Sequence, residues 1–342
     1  MITRVRSVGP LYEGPAVLLV AQAEYHLAEL QPIRDELCEQ GVPVNMVVPE
    51  VDWKPLHRFR PAVRRNARLH AACGESLSRP IASDSLVKTA AALVVMNDWG
   101  TTASMIATAR SRDVPVLAVV EGVQDFADVE TGRKRSAYRN SDHVFCLGPY
   151  DHAQLDGVKR SIGGSTRFQK AWATPVTTQP DELVVVNSNF SYGVLESERK
   201  PWVDGVRRAA AGAETRMVLS RHPAERGLDF GDDVTKVPIS QLLKTSGCLV
   251  SRFSTVCFDA LLAGVPMIYY NPHGEQIGTF REANGAFIST TSVEHLQIAL
   301  RAPKRSRQET RYAAEGFLSR HLLLHSAVRP AEHVANVICS MV

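Results

Sequence analysis

Short apolar runs recur along the chain, and most are followed by a stretch whose apolar residues fall at helical spacing. AVLLVAQ (16–22) is continuously apolar, as a parallel strand buried on both faces must be. In AEYHLAELQPIRDELCEQG (23–41), Leu27, Leu30, Ile33 and Leu37 share one helical face and Gly41 lies just past the end. PVNMVVP (43–49) predicts a second strand. Further on, ALVVMND (92–98), PVLAVVEG (115–122) and DHVFCLG (142–148) read as strands, and TTASMIATARSR (101–112) as a helix. Residues 159–180 are rich in Gly, Ser, Thr and Pro and predict a linker.

After it the alternation restarts. Strands are expected at ELVVVNSNF (182–190), RMVLSRHP (216–223), CLVSRFS (248–254) and VPMIYYNP (265–272). Helices are expected over 195–211, 239–247, 256–264 and 292–303, and a long helical tail runs to Val342. Strands separated by helices of this length imply βαβ units and parallel sheets. The fold class is therefore α/β, with two Rossmann-like domains facing across a cleft. The expected divisions are a first domain over 1–170, a second over 181–325 and a C-terminal helix over 326–342.

Composition narrows the class. The 342 residues are 44% hydrophobic and 22% charged, ordinary for a soluble globular protein. No apolar run reaches the roughly 18 to 20 residues that span a bilayer. The N-terminus lacks the apolar core of a secretory signal. Six cysteines are scattered without a C-x-x-C pair, which fits a reducing cytoplasm better than disulfides or zinc. A net charge of +3 is too small to imply nucleic-acid binding. HRFRPAVRRNARLH (57–70) carries five arginines. It reads either as a solvated helix face or as a site for an acidic acceptor or the inner face of a membrane.

In parallel sheets, ligands bind outside the carboxyl ends of strands. Polar residues stand at almost every such end: Glu24 and His26, Asn97 and Asp98, Glu121, Gln124 and Asp125, then Asn187 to Asn189, Arg221 and His222, 251–255, and Asn271, His273 and Glu275. Three clusters suggest chemistry. In SRFSTVCFDALLAGVPMIYYNP (251–272), Ser254 and Thr255 precede a helix that also carries Asp259. Either hydroxyl is an N-cap or part of a phosphate site at the helix N-terminus. In MVLSRHP, Arg221 and His222 follow a strand directly, placed to steady a departing nucleotide phosphate. In VVEGVQDF (119–126), Glu121 is placed as a general base, with its pKa expected to be raised by burial; Asp125 and Asp98 are rivals for the role. The sequence has no G-x-x-x-x-G-K-[ST] loop, H-E-x-x-H helix, G-x-S-x-G elbow or D-x-D pair. No metal site and no cofactor are expected.

These pieces together resemble the GT-B class of glycosyltransferases. The likeness is greatest to bacterial surface-polysaccharide enzymes: capsule-type Kdo transferases, sialyl- and polysialyltransferases, and CDP-glycerol glycerophosphotransferases. Residues 23–49, SDHVFCLGPYDHAQL (141–155), SRHP, 251–272 and FLSRHLLLHSAVRPAEHVANVI (317–338) carry it. In the CMP-sialic-acid group an acidic-acidic-Gly motif supplies the base, and a His-Pro motif and a Ser/Thr pair hold the CMP. These fall here on Glu121-Gly122, His222-Pro223 and Ser254-Thr255. Val120 stands where the first acid would be, and Glu24-Tyr25 precede His26 where many GT-B proteins have glycine.

The resemblance implies an inverting, metal-independent transfer from a CMP-, CDP- or UDP-linked sugar to a hydroxyl of a glycan or lipid-linked acceptor. Glu121 or Asp125 would be the base. Asn187, Ser188, Arg221, His222, Ser254, Thr255 and Asp259 would hold the donor, and His26 and Asp98 would lie on the acceptor side. A cytoplasmic enzyme, peripheral to the membrane through 57–70, is expected. A reaction like that of UDP-N-acetylglucosamine 2-epimerase and a non-catalytic GT-B scaffold are the alternatives.

Overall fold

The computed structural model describes residues 3–51, 61–122, 126–176, 182–190, 194–222, 225, 231 and 233–342. Gln124, Asp125, Pro223 and residues 57–60 of the basic stretch lie outside them. The chain forms two compact units, one of Met1–Glu121, Ser136–Gln169 and Leu322–Val342, the other of Gly122–Arg135 and Lys170–His321. The segment 122–135, expected in the first domain, is thus counted with the second.

The first unit holds β1 (Arg4–Ser7), β2 (Ala16–Val20), α1 (Glu24–Glu39), β3 (Val44–Pro49), α2 (Pro61–Cys73), β4 (Ile81–Ala82), α3 (Ser83–Thr89), β5 (Ala90–Val95), α4 (Thr101–Arg110), β6 (Val116–Val119), β7 (His143–Cys146), α5 (Pro149–Gln154) and β8 (Arg160–Ile162). Its sheet runs β4-β1-β3-β2-β5-β6-β7-β8. All neighbours are parallel except β1, which lies antiparallel to β3 and β4. The chain winds from β2 outward to β3, then returns to β5 on the other side. The switch point of this doubly wound sheet is therefore between β2 and β5, where a ligand crevice is favoured. β2 is buried at every position because helices cover both faces.

The chain enters the second unit within α6 (Thr166–Ala173). There follow β9 (Val184–Ser188), α7 (Arg199–Gly212), β10 (Met217–Arg221), β11 (Val234–Thr235), α8 (Ile239–Thr245), β12 (Cys248–Ser251), α9 (Val256–Leu262), β13 (Met267–Tyr270), β14 (Ile288–Thr290), α10 (Val293–Arg301), α11 (Arg307–His321) and α12 (Pro330–Cys339). This sheet is wholly parallel, in the order β11-β10-β9-β12-β13-β14, with its switch point between β9 and β12. Trp202, fully buried, packs with Val184, Val206 and Leu300 and donates its indole N–H to the Tyr270 carbonyl at 3.0 Å.

Two expectations are corrected. The stretch 159–180 is not simply a linker, because β8 and α6 occupy much of it. Its glycines serve crowding rather than flexibility: a Cβ on Gly163 would come 2.9 Å from the Phe145 Cβ, and Gly164 has φ of +70°. The tail is not one helix either. It ends after His321, and a new helix starts at Pro330, which suits the first helical position because its missing N–H needs no partner there. α12 then returns to the first unit, where Val334, Ala335 and Ile338 join the core of Leu30, Ile33 and Leu37.

The basic stretch continues into α2, where Val63 and Leu69 are buried and the His70 ring bonds the Pro49 carbonyl at 2.8 Å. Among the described residues, no helix is long and apolar enough to cross a membrane.

Candidate active site

The carboxyl ends of β2, β5 and β6 bring Gln22, Tyr25, His26, Asn97 and Glu121 together at the switch point of the first sheet. The order of hydrogen bonds there is fixed from the backbone outward. The Thr101 backbone N–H donates to Gln22 Oε1 at 3.2 Å, which turns the amide so that Nε2 donates to Asn97 Oδ1 at 2.5 Å. Thr102 Oγ1 donates to the same Asn97 oxygen at 2.8 Å. Asn97 must then present its Nδ2, which donates to Glu121 Oε2 at 2.7 Å. On the other side, the Gln22 backbone N–H donates to His26 Nδ1 at 3.1 Å. That bond leaves the ring hydrogen on Nε2, 3.3 Å from Glu121 Oε1. The half-exposed Tyr25 completes the set by donating its hydroxyl to the same oxygen.

Three donors thus converge on a side chain only 12% exposed. The carboxylate accepts from Tyr25 and Asn97 and has the His26 Nε2–H 3.3 Å away, an arrangement that a protonated acid does not match. Burial alone would push the Glu121 carboxyl up. The His26 ring facing it, together with the hydrogen bonds from Tyr25 and Asn97, outweighs it and holds the pKa below the ordinary range. The expected rise is therefore corrected to a fall. Glu121 is an ionised, oriented carboxylate, weaker as a base than a raised carboxyl but deprotonated at neutral pH.

The other residues expected on the acceptor side do different work. His26 is 1% exposed with both ring nitrogens turned to protein, so it positions Glu121 instead of meeting a ligand. Asp98 accepts the Tyr138 backbone N–H at 2.8 Å. The Tyr138 hydroxyl, in turn, receives the Glu121 backbone N–H at 3.0 Å and donates to the Met96 carbonyl at 3.2 Å. Asp98 therefore anchors the loop beneath Glu121.

In the second unit, the expected donor residues stand at the carboxyl edge of the sheet on a buried ionic layer that was not foreseen. Arg252, fully buried, donates from Nε to Glu275 Oε1 at 2.5 Å and from Nη1 to the Asn189 carbonyl at 2.8 Å. Its guanidinium lies 3.8 Å from the Phe190 ring centroid. Glu275 also accepts from the Tyr269 hydroxyl at 2.9 Å, and burial with the Glu275 charge pushes that hydroxyl's pKa up, so it stays a donor. A second buried carboxylate, Glu225, accepts from the Phe190 backbone at 2.7 Å, Ser188 Oγ at 2.8 Å and Arg199 Nε at 3.0 Å. The Arg221 guanidinium is 3.9 Å from it. Glu225 was missed, and Arg252, named only within the polar strand end 251–255, was given no role, because nothing local separates a buried, paired charge from a solvated one.

Asn187 and Ser188 belong to that supporting layer, since Asn187 Nδ2 donates to Ser251 Oγ at 3.2 Å and Ser188 to Glu225. His222 is held by its backbone N–H on the Ser188 carbonyl at 3.1 Å. Ser254 Oγ accepts the Val256 N–H at 3.3 Å, as a cap does. Thr255 makes no such capping bond, and a Cβ on Gly122 would come 3.0 Å from its Oγ1. Asp259 is half-buried in the first turn of α9. Among the described residues, no group of three His, Cys, Asp or Glu side chains is arranged to hold a metal ion.

No family model and no curated protein sequence matches the chain. Solved structures do. The UDP-GlcNAc 2-epimerase of Methanocaldococcus jannaschii, in complex with UDP-GlcNAc and UDP, superposes with a TM-score of 0.60 at 12% identity, over 96% of this chain and 100% of that one. S. aureus MnaA with UDP gives 0.62 at 11% identity, over 95% and 96%. The wall teichoic acid polymerase TagF gives 0.55 at 10% identity, over 95% and 88%. At such identities the likeness establishes fold, here the GT-B type of two Rossmann-like units.

Proposed function

We propose that the protein is a nucleotide-sugar enzyme and, as the finer reading, a glycosyltransferase that uses Glu121 as its base. The observation that carries this is the Glu121 cluster: a nearly buried carboxylate, ionised and aimed by Asn97 and His26, at the switch point of a doubly wound sheet. In this mechanism the acceptor hydroxyl takes the place of the Tyr25 hydroxyl on Glu121 and gives up its proton as its oxygen attacks the anomeric carbon. The C–O bond to the nucleotide phosphate breaks with inversion. Arg221, His222 and the Ser254 and Thr255 hydroxyls offset the charge that grows on the leaving phosphate. No step uses a metal ion, so turnover is expected to survive EDTA.

The epimerase neighbours support a second reading, in which Glu121 exchanges the proton at C2 of a bound UDP-sugar. Incubating the protein with UDP-GlcNAc and following the sugar by NMR separates the two. Inversion at C2 without an acceptor supports the epimerase and refutes the transferase. Donor binding is tested by thermal shift with CMP, CDP, UDP and GDP. A cytidine or uridine nucleotide should stabilise the wild type, and His222→Ala should remove most of the shift. An undiminished shift in that variant removes His222 from the site.

A further inference from the structure

The residues discussed for the second sheet lie at the carboxyl ends of its strands. At the amino ends is a separate cavity of about 290 Å³. Its wall includes Cys248, Met267 and Ile288, the first residues of β12, β13 and β14, with Phe287 and Ala299 completing an apolar lining. Burial pushes the Cys248 thiol up to about 12, so it stays protonated and behaves as a small apolar group.

Polar groups of one kind interrupt this lining. Thr310 is 2% exposed and its hydroxyl has no hydrogen-bond partner. A buried hydroxyl left so is costly unless a ligand or water satisfies it. Lys304 and Arg305, both exposed, stand at the cavity. Lys304 Nζ donates to the Leu300 carbonyl at 3.0 Å and Arg305 Nη1 to the Gly285 carbonyl at 2.7 Å, which leaves each cation with donors unused. Among the described residues lining the cavity, there is no carboxylate.

We propose that this cavity binds a single alkyl or acyl chain with an anionic head. The chain lies against Met267, Phe287 and Ala299, the head is held by Lys304 and Arg305, and Thr310 donates a hydrogen bond from the wall. An apolar cavity of about 150 Å³ accepts benzene, so roughly twice that volume suits a chain of about ten carbons. The position, at the strand ends opposite the carboxyl edge, makes it a site distinct from the nucleotide-binding one, fit to anchor or regulate the enzyme. Such an amphiphile comes either from a membrane or free from solution.

The test uses the full chain with decanoate, decyl phosphate and decanol, read by calorimetry and thermal shift. Decanoate and decyl phosphate should bind saturably. Lys304→Ala with Arg305→Ala, both at exposed positions, should weaken them by about tenfold or more, the usual effect of losing about 1.4 kcal/mol of head-group contact. The same pair should leave decanol binding and the nucleotide-induced shift unchanged. Ala299→Leu, which fills the cavity, should abolish binding of all three. Vesicles of phosphatidylglycerol separate the sources: sedimentation that depends on Lys304 and Arg305 identifies a membrane lipid, and decanoate binding without sedimentation a free amphiphile. Absence of binding by both anions overturns the proposal. So does anion binding that the double variant leaves intact, or decanol binding as tightly as decanoate.

Discussion

Replacing Glu121 by glutamine is usually treated as a neutral way to remove a base, but here it should also cost stability. The three groups that meet the side chain are all donors, and two of them cannot change role. Asn97 is fixed because its oxygen accepts from Gln22 and Thr102, and His26 because its Nδ1 accepts the Gln22 N–H. A glutamine oxygen turned to His26 sets its amide N–H₂ against that of Asn97, and the reverse orientation sets it against the His26 Nε2–H. Tyr25 can rotate away, being half-exposed. One buried donor pair is therefore left unmatched, and the charge that strengthened the other bonds is gone. An unsatisfied buried donor costs about 1–3 kcal/mol, so a loss near 2 kcal/mol is expected. By the scaling for domains of this size that is a fall of about 4–8 °C in the melting of the first unit. Calorimetry and urea unfolding measure it, alongside a drop in kcat of about 10²-fold or more with nucleotide binding unchanged.

A rescue sharpens the test. Asn97→Asp in the Glu121→Gln background restores an acceptor on each side, since the carboxylate introduced at position 97 can accept from Gln22, from Thr102 and from the new amide at position 121. Stability should return while activity does not. Melting of Glu121→Gln within about 1 °C of the wild type, or no recovery in the double variant, would refute the fixed-donor reasoning. The pH dependence has a definite sign as well. A carboxyl with its pKa lowered in the folded state contributes stability above the ordinary carboxylate range and loses it as pH falls through the folded value. Glu121→Gln should flatten that part of the acid limb.

Other consequences are as direct. Arg307 donates to the carbonyls of Leu243, Lys244, Ser246 and Ala263, closing the C-terminal ends of α8 and α9 with one guanidinium, so Arg307→Met, which leaves those carbonyls unmatched, should lose about 2–3 kcal/mol in urea unfolding. Gly264→Ala should be at least as damaging, for φ is +70° and the new Cβ would collide with the Arg307 carbonyl oxygen; soluble expression and calorimetry check it. Burial lowers the His321 pKa from 6.5 to about 4, so the folded state favours the neutral ring. That contribution is full above pH 6.5 and falls away towards pH 4, by about 3 kcal/mol at 1.4 kcal/mol per unit, and His321→Phe should remove this slope from a pH series of unfolding curves.

Much of this protein is written locally. Continuous apolar runs between helical repeats are enough to give two parallel sheets, because a strand buried on both faces has no polar side and the helix pattern has its own period. The strand-end rule placed Glu121, Asn97, His26, Arg221, His222 and the hydroxyls of 254–255 at the carboxyl edges of the two sheets, where the structure has them. What each does there depended on partners 75 or more residues away, as with Gln22 and Asn97, or 63 for Arg252 and the Asn189 carbonyl. The tertiary structure made His26 a support rather than a ligand, lowered the carboxyl pKa that burial alone would raise, and turned a stretch read as a linker into close packing. It also returned the last helix to the first unit and opened a cavity where three strands begin. Apolar periodicity is a property of neighbours in sequence. Proton positions, charge pairing and cavities are set by which residues meet in space, and no local pattern records that.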